Sequence, residues 1–276
     1  MRRIIKSTLK LIDERFLFSF FNKVRSLFLL NHLKRTLESY NGRSFSTYLS
    51  SDTVFADLCD KFGTDKGSNG LEEYSFEWAP HRYSDFYEVL FRQCRDQVTQ
   101  ILEIGIGTGD FNFPANMGSG ARPGASLRVW REYFPNALIY GADIDPRILF
   151  KEDRISTFLV DQLDKKSIQN AISSFEPGTF DLIVDDGLHT FQANATFFRN
   201  SNHLLSERGF YIIEDVTPAN LKKLLSLKSE FLSFAFSPVI FHETNQTHEL
   251  NSILMITKKS ASNYESEIKS HGIRQY

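Results

Sequence analysis

The chain is poor in cysteine. Its 276 residues include two, Cys59 and Cys94, too few for a disulfide framework and not at a metal or redox spacing. A reducing, cytoplasmic setting suits that usage. A strong charge of one sign is also missing: 32 Lys and Arg stand against 34 Asp and Glu, a net of −2. General nucleic-acid binders carry a large basic excess, so no nucleic-acid partner is expected. No apolar run reaches the ~18 uninterrupted residues of a membrane span; Asn22, Lys23 and Arg25 break the one candidate, at 16–30. No small-residue cleavage site follows it, which argues against a removable secretory leader. Repeats and low-complexity tracts are absent as well.

A hydrophobic content of 41% is enough for one substantial core with a smaller attachment. Phenylalanine is abundant, at 26 residues, and reads first as core packing. Residues 1–40 hold nine Lys or Arg against three Asp or Glu, and Ile5, Leu9, Ile12, Phe16 and Phe20 recur at helical spacing. Residues 1–54 therefore read as a basic amphipathic helical extension, and 55–276 as the main domain. The extension suits packing on the domain or on a second subunit in a homo-oligomer. It also suits peripheral contact with the inner membrane surface.

Beyond it, strands and helices alternate. Residues 55–95 read as helix, loop, helix. Strands follow at 100–104, 138–143, 156–160, 180–186 and 210–216, with helices at 126–134, 165–175 and 191–205. Residues 221–257 add a helix and two more strands, 234–241 and 252–257. Alternation of this kind implies an α/β fold with a mostly parallel, Rossmann-like sheet and helices on both faces. Residues 110–124, DFNFPANMGSGARPG, have no hydrophobic period and read as an inserted loop, of a length that is usually functional.

The first strand runs into ILEIGIGTG, 101–109. Gly105, Gly107 and Gly109 allow a tight turn that a ligand can approach closely. The next strand ends in Asp143 and Asp145, and a carboxylate at that tip is placed to hold a ribose diol. The spacing is G-x-G-x-G, not the G-x-G-x-x-G of dinucleotide folds. Glu103 leads the turn, where an acid suits a sulfonium or α-amino group and repels a pyrophosphate. That disfavours an NAD(P)-dependent oxidoreductase. Asp161 and Gln162, after the third strand, stand where an adenine amine is met.

Strand four ends in Asp185 and Asp186, followed by Gly187, Leu188 and His189; strand five ends in Glu214 and Asp215. Neighbouring strand tips lie about 5 Å apart, and carboxylates converging there repel unless a cation lies between them. Such an oxygen-rich site suits Mg²⁺ or a similar hard ion. His189, three residues beyond Asp186, is placed to take a proton from a substrate hydroxyl.

These blocks resemble class I S-adenosylmethionine-dependent methyltransferases. In particular they resemble the metal-dependent macrolide-sugar O-methyltransferases and their relatives in bacterial surface-polysaccharide gene clusters. The matching blocks are KFGTDKG (61–67), WAPHRY (78–83), EIGIGTG (103–109), PGASLRVWREYFPNA (123–137), YGADIDP (140–146), VDQLD (160–164), DDGLHTF (185–191) and YIIEDV (211–216). The resemblance covers residues ~55–220. It implies a sheet with one antiparallel strand near the C-terminus, S-adenosylmethionine and Mg²⁺ as cofactors, and a sugar acceptor, either a nucleotide sugar or a lipid-linked glycan intermediate. Metal binding falls on Asp186 and Asp215 and the base on His189. Glu103, Gly105, Gly107, Asp143, Asp161, Gln162 and Asp185 form the cofactor-binding set, while Glu103, Asp185 and Glu214 are open as a third metal ligand. Two departures, the long 110–124 loop and Leu188 in place of a common serine, border the acceptor side. His81 and Tyr83 either close over the site or pack; Asp65 and Lys66 either cap a helix and face water or belong to a lid. A scaffold that keeps the fold without the chemistry is the alternative to an enzyme, although such copies usually lose the acid and histidine cluster.

Overall fold

The computed structural model describes residues 45–47, 53–67, 78, 80–176, 178–241, 252–259 and 274–275. The amphipathic pattern at 1–40 lies outside the described residues. Within the stretch read as an extension, Phe45–Thr47 is a short strand, β1.

Two helices precede the central strands. Helix α1, Val54–Phe62, starts where the Thr53 hydroxyl accepts from the Ala56 amide at 3.1 Å, and ends at Gly63 in the left-handed conformation. Helix α2 is Ser84–Phe91. The Rossmann-like part then runs β2 (Gln100–Ile104), α3 (Ala125–Tyr133), β3 (Leu138–Asp143), β4 (Lys151–Glu152), β5 (Ile155–Leu159), α4 (Lys165–Ile172), β6 (Phe180–Asp185), α5 (Phe191–Ser201) and β7 (Leu205–Ile213). Helix α6 (Pro218–Ser226), strands β8 (Phe234–Phe241) and β9 (Ser252–Lys258) and the two-residue β10 (Arg274–Gln275) complete it. Side-chain caps start three of the later helices: Asp164 accepts from the Lys166 amide, Thr190 from Ala193 and Thr217 from Asn220.

The ten strands of the described residues form one sheet in the order β10-β1-β8-β9-β7-β6-β2-β3-β5-β4. Pairings from β7 through β6, β2 and β3 to β5 are parallel, and β9 is antiparallel to both β7 and β8. The expected antiparallel strand near the C-terminus is thus β9. Ile104 pairs with both Ala142 and Asp185, and Asp185 with Ile213. The four central strands therefore end level, and everything that follows them gathers at one edge, where open α/β sheets bind ligands.

Side chains alternate across the sheet. Ile101, Ile139, Leu182 and Phe210 enter one core with Phe55, Tyr87, Trp130 and Phe134 of the α1–α3 side. Leu102, Tyr140, Ile183 and Tyr211 enter the other, with Phe198, Leu221 and Leu224 of the α4–α6 side. Much of the phenylalanine is spent here. Phe55 packs on Tyr87, Trp130 and Tyr133 at ring separations of 5.0–5.4 Å, and Phe198 on Tyr211 and Phe231 at 5.0 and 4.9 Å.

Several boundaries differ from the sequence reading. Strand β7 begins at Leu205, ahead of the expected start at 210, because the register slips between Phe180 and Leu182 and Gly209 sits against the Phe180 carbonyl, where a side chain has no room. It stops at Ile213, which leaves Glu214 and Asp215 beyond the strand. Helices α4 and α5 end early, at Ile172 and Ser201, the latter passing into a 3₁₀ turn at Asn202–Leu204. Among the described residues, no helix is long and apolar enough to cross a membrane.

Candidate active site

Above the level strand ends lies a cavity of about 720 Å³. On one side it is bounded by the glycine turn. Gly105 and Gly107 have φ of +85° and +88°, and a side chain on Gly105 would strike the Asp186 carbonyl. Glycine is required there both for the backbone and for the space. Asp143 ties the turn to β3: one carboxylate oxygen accepts from the Ile106 amide at 2.9 Å and the other from the Asp145 amide at 3.0 Å. A carboxylate has about four acceptor sites, so Asp143 keeps acceptor capacity for a diol in the cavity it lines. Burial pushes its pKa up, against those backbone bonds.

The inserted loop folds over this side and contributes Phe113, Pro114, Ala115, Asn116 and Met117 to the lining. Asp145 holds its root, accepting from the Thr108 hydroxyl at 2.6 Å and from Arg147 Nε at 2.7 Å, while Arg147 also donates to Asp110. Asp161 and Gln162 line the cavity beyond β5. Gln162 has a further task. Its amide nitrogen donates to Asp185 at 2.5 Å and its oxygen accepts from the Leu188 amide at 3.0 Å, which clamps the loop after β6.

Opposite the turn stand Asp186, His189 and Asp215, with one ligand atom of each within 4.8 Å of the others. Two of the three have left-handed backbones, His189 at φ +54° and Asp215 at φ +53°. That conformation is costly for non-glycine residues and collects at functional sites. The Asn220 side chain donates to the His189 carbonyl at 2.8 Å and holds the loop in place. His189 Nε2 faces Asp215 Oδ2 at 3.9 Å. Asp215 Oδ1 accepts from the Tyr83 hydroxyl at 2.6 Å and lies 3.2 Å from His81 Nδ1. Burial works to raise the Asp215 pKa, but His81, His189 and the Tyr83 bond outweigh it and hold the group below the ordinary carboxylate range. Two carboxylates converging on a cavity supply oxygen donors suited to a hard divalent ion, with the His189 imidazole beside them.

Beneath this face lies a buried ion cluster. Lys66, 3% exposed, donates to Asp186 Oδ2 at 2.5 Å and to Glu214, and is 3.5 Å from Glu103. Tyr87 donates to the other oxygen of Glu214, and Trp130 Nε1 to the other oxygen of Glu103 at 2.8 Å. Burial opposes the charge on Lys66, yet the three carboxylates outweigh it and hold its pKa well above the ordinary value.

Of the residues singled out in the sequence, Gly105, Gly107, Asp143, Asp161, Gln162, Asp186, His189 and Asp215 line one cavity. Glu103 and Asp185 do not. Each ends on the buried side of its strand, Glu103 under Lys66 and Trp130, Asp185 against Gln162, with burial pushing Asp185 up to about 6. Glu214 likewise turns down to Lys66 and Tyr87. Lys66 does not face water: it is buried, and its backbone joins the segment at 80–84, with the Ser84 amide donating to the Lys66 carbonyl at 2.9 Å. Tyr87, inside α2, carried no local signal beyond its place in an apolar helix.

The sheet order, the glycine turn with Asp143 at its side, and the acid and histidine face together define the class I methyltransferase fold. No family model matches the chain. Among curated proteins it is 33% identical over 178 residues (64% of this chain, 43% of the relative) to the 8-demethyl-8-(2-methoxy-alpha-L-rhamnosyl)-tetracenomycin-C 3'-O-methyltransferase of Streptomyces olivaceus. It is 37% identical over 136 residues (49% and 32%) to the L-olivosyl-oleandolide 3-O-methyltransferase of Streptomyces antibioticus. The chain thus spans less than half the length of these relatives. Among solved structures, MycE methyltransferase from the mycinamycin biosynthetic pathway, in complex with Mg and SAH, superposes with a TM-score of 0.53 at 22% identity, over 76% of this chain and 56% of that one. The relatives are O-methyltransferases of glycosylated antibiotics, and the structural likeness is one of fold.

Proposed function

We propose that the chain is an S-adenosylmethionine-dependent O-methyltransferase that acts, with Mg²⁺ or a similar ion, on a sugar hydroxyl. The observation that carries this reading is the placement of Asp186, His189 and Asp215 across one cavity from the Gly105–Gly107 turn and Asp143. Asp143 would bind the ribose diol, with Asp161 and Gln162 near the adenine. Asp186 and Asp215 would hold the ion, whose positive charge, when it is bound, lowers the pKa of a nearby hydroxyl. His189 takes the proton of the acceptor hydroxyl as the new C–O bond forms and the methyl–sulfur bond breaks, releasing the thioether. Tyr83 and His81 fix Asp215, and Gln162 fixes the loop that carries His189.

The lining also bears on the acceptor. It holds five aspartates, Asp65, Asp143, Asp161, Asp186 and Asp215, and no Lys or Arg among the described residues. This favours a ring that bears no phosphate near the reacting hydroxyl, and so a glycoside or assembled glycan over a nucleotide sugar. A setting in surface-polysaccharide assembly rests on the family resemblance alone.

Transfer of a radiolabelled methyl group from S-adenosylmethionine to a panel of neutral deoxyhexosides, nucleotide sugars and lipid-linked sugars tests the reading. Labelled neutral glycoside is expected, with label lost on chelation and restored by Mg²⁺. No transfer to any acceptor, or transfer indifferent to chelation, contradicts it.

A further inference from the structure

Lys66 is the one buried cation of the described site, and it touches the group that the ion would need. Its ammonium donates to Asp186 Oδ2 at 2.5 Å and to Glu214, with Glu103 at 3.5 Å. The remaining oxygens of Glu214 and Glu103 are taken by Tyr87 and Trp130, so the three acids are turned toward the ammonium. The backbone around Lys66 is anchored: the His81, Arg82 and Ser84 amides donate to the carbonyls of Asp65, Gly67 and Lys66 at 2.7, 3.0 and 2.9 Å. Asp186 is therefore shared between a fixed internal cation on one side and the His189 and Asp215 face on the other.

We propose that Lys66 is an internal competitor that sets the affinity of the site for its divalent ion, an inference resting on the metal-assisted reading above. An ammonium on Asp186 repels a second cation brought to the same carboxylate. By engaging Glu214 it also competes for a third acid, at the end of the neighbouring strand. A lysine is a compact point charge, so its removal adds one unit of negative charge to the site while leaving the cavity-facing donors in place. Lys66 is thus a positioning residue, and its effect is opposite in sign to that of a merely structural lysine.

The experiment is calorimetric titration of Mn²⁺ and of Mg²⁺ into the full chain, wild type beside Lys66→Met and Lys66→Gln, with thermal unfolding to show that each variant is folded. Lys66→Gln keeps a hydrogen-bond donor on a side chain one atom shorter and serves where the methionine variant fails to fold. Tighter ion binding in the neutral variants, on the order of tenfold or more, is expected, and so is a further loss of that gain when Glu214→Gln is added. Binding that is unchanged or weaker in a folded neutral variant overturns the inference and leaves the methyltransferase reading standing. A wild type that binds neither ion overturns both.

Discussion

The Tyr83 hydroxyl donates to Asp215 Oδ1 at 2.6 Å, joining the approach to α2 to the end of β7 across 132 positions of sequence. Tyr83 is fully buried, and the bond holds a carboxylate whose backbone is itself in the left-handed region. Removing the hydroxyl by Tyr83→Phe is expected to cost about 1–2 kcal/mol of stability. It should also lower kcat while leaving the dissociation constant for S-adenosylmethionine unchanged, since Asp143 and the glycine turn lie across the cavity. Steady-state kinetics beside cofactor calorimetry checks the separation; an equal loss in both would place Tyr83 in general packing.

His189→Ala carries the most direct kinetic expectation. Its loss removes the base and leaves the cofactor half of the cavity intact, so turnover should fall by roughly 10²–10⁴ with cofactor binding kept. A variant that turns over like the wild type would show that the acceptor proton leaves by another route.

Gly105→Ala tests the turn. With φ at +85° and the Asp186 carbonyl in the way, an added methyl must displace backbone on both strand ends. The expected cost is above about 3 kcal/mol, read as a large fall in Tm or a failure to fold. Gly107 has a comparable φ, but its nearest neighbour is the flexible Met117 side chain at 3.3 Å, so Gly107→Ala should be the milder of the two.

Away from the site, Glu152 on β4 accepts from Arg128 of α3 at 2.6 and 3.2 Å and from Arg131 at 3.1 Å. The Arg128 hydrogen bonds hold its pKa below the ordinary value near 4.5. A carboxylate depressed on folding stabilises the protein above its ordinary pKa, and the contribution fades as pH falls through the depressed value. Glu152→Gln should therefore cost about 0.5–1 kcal/mol at pH 7, a modest figure because the pair is a third exposed, and progressively less in acid. Denaturant unfolding at pH 7 and in acid follows the difference, and a cost that grew in acid would reverse the assignment.

The sheet was legible because its signals are local. Strands β2, β3 and β6 are apolar runs that end in glycine or aspartate, and Gly105, Asp143, Asp186, His189 and Asp215 all sit at such ends. What escaped was set by distant partners. Lys66 lies among Gly, Thr and Asp in a loop that reads as solvent-facing, and the three acids that bury it come 37, 120 and 148 positions later. Glu103, by its nearness to the turn, reads as a cofactor contact. Strand alternation places it with Ile101, on the Trp130 side of the sheet. The early start of β7 is likewise non-local: it follows a slip in register that only the pairing of β6 with β7 reveals.

Calorimetric titration of S-adenosylmethionine, with NAD⁺ alongside, into the wild type and Asp143→Ala tests the central claim most directly. Micromolar binding of S-adenosylmethionine by the wild type is expected, with none of NAD⁺ and a large loss of affinity in the variant. Absence of S-adenosylmethionine binding, or binding that survives unchanged without the Asp143 carboxylate, would contradict it.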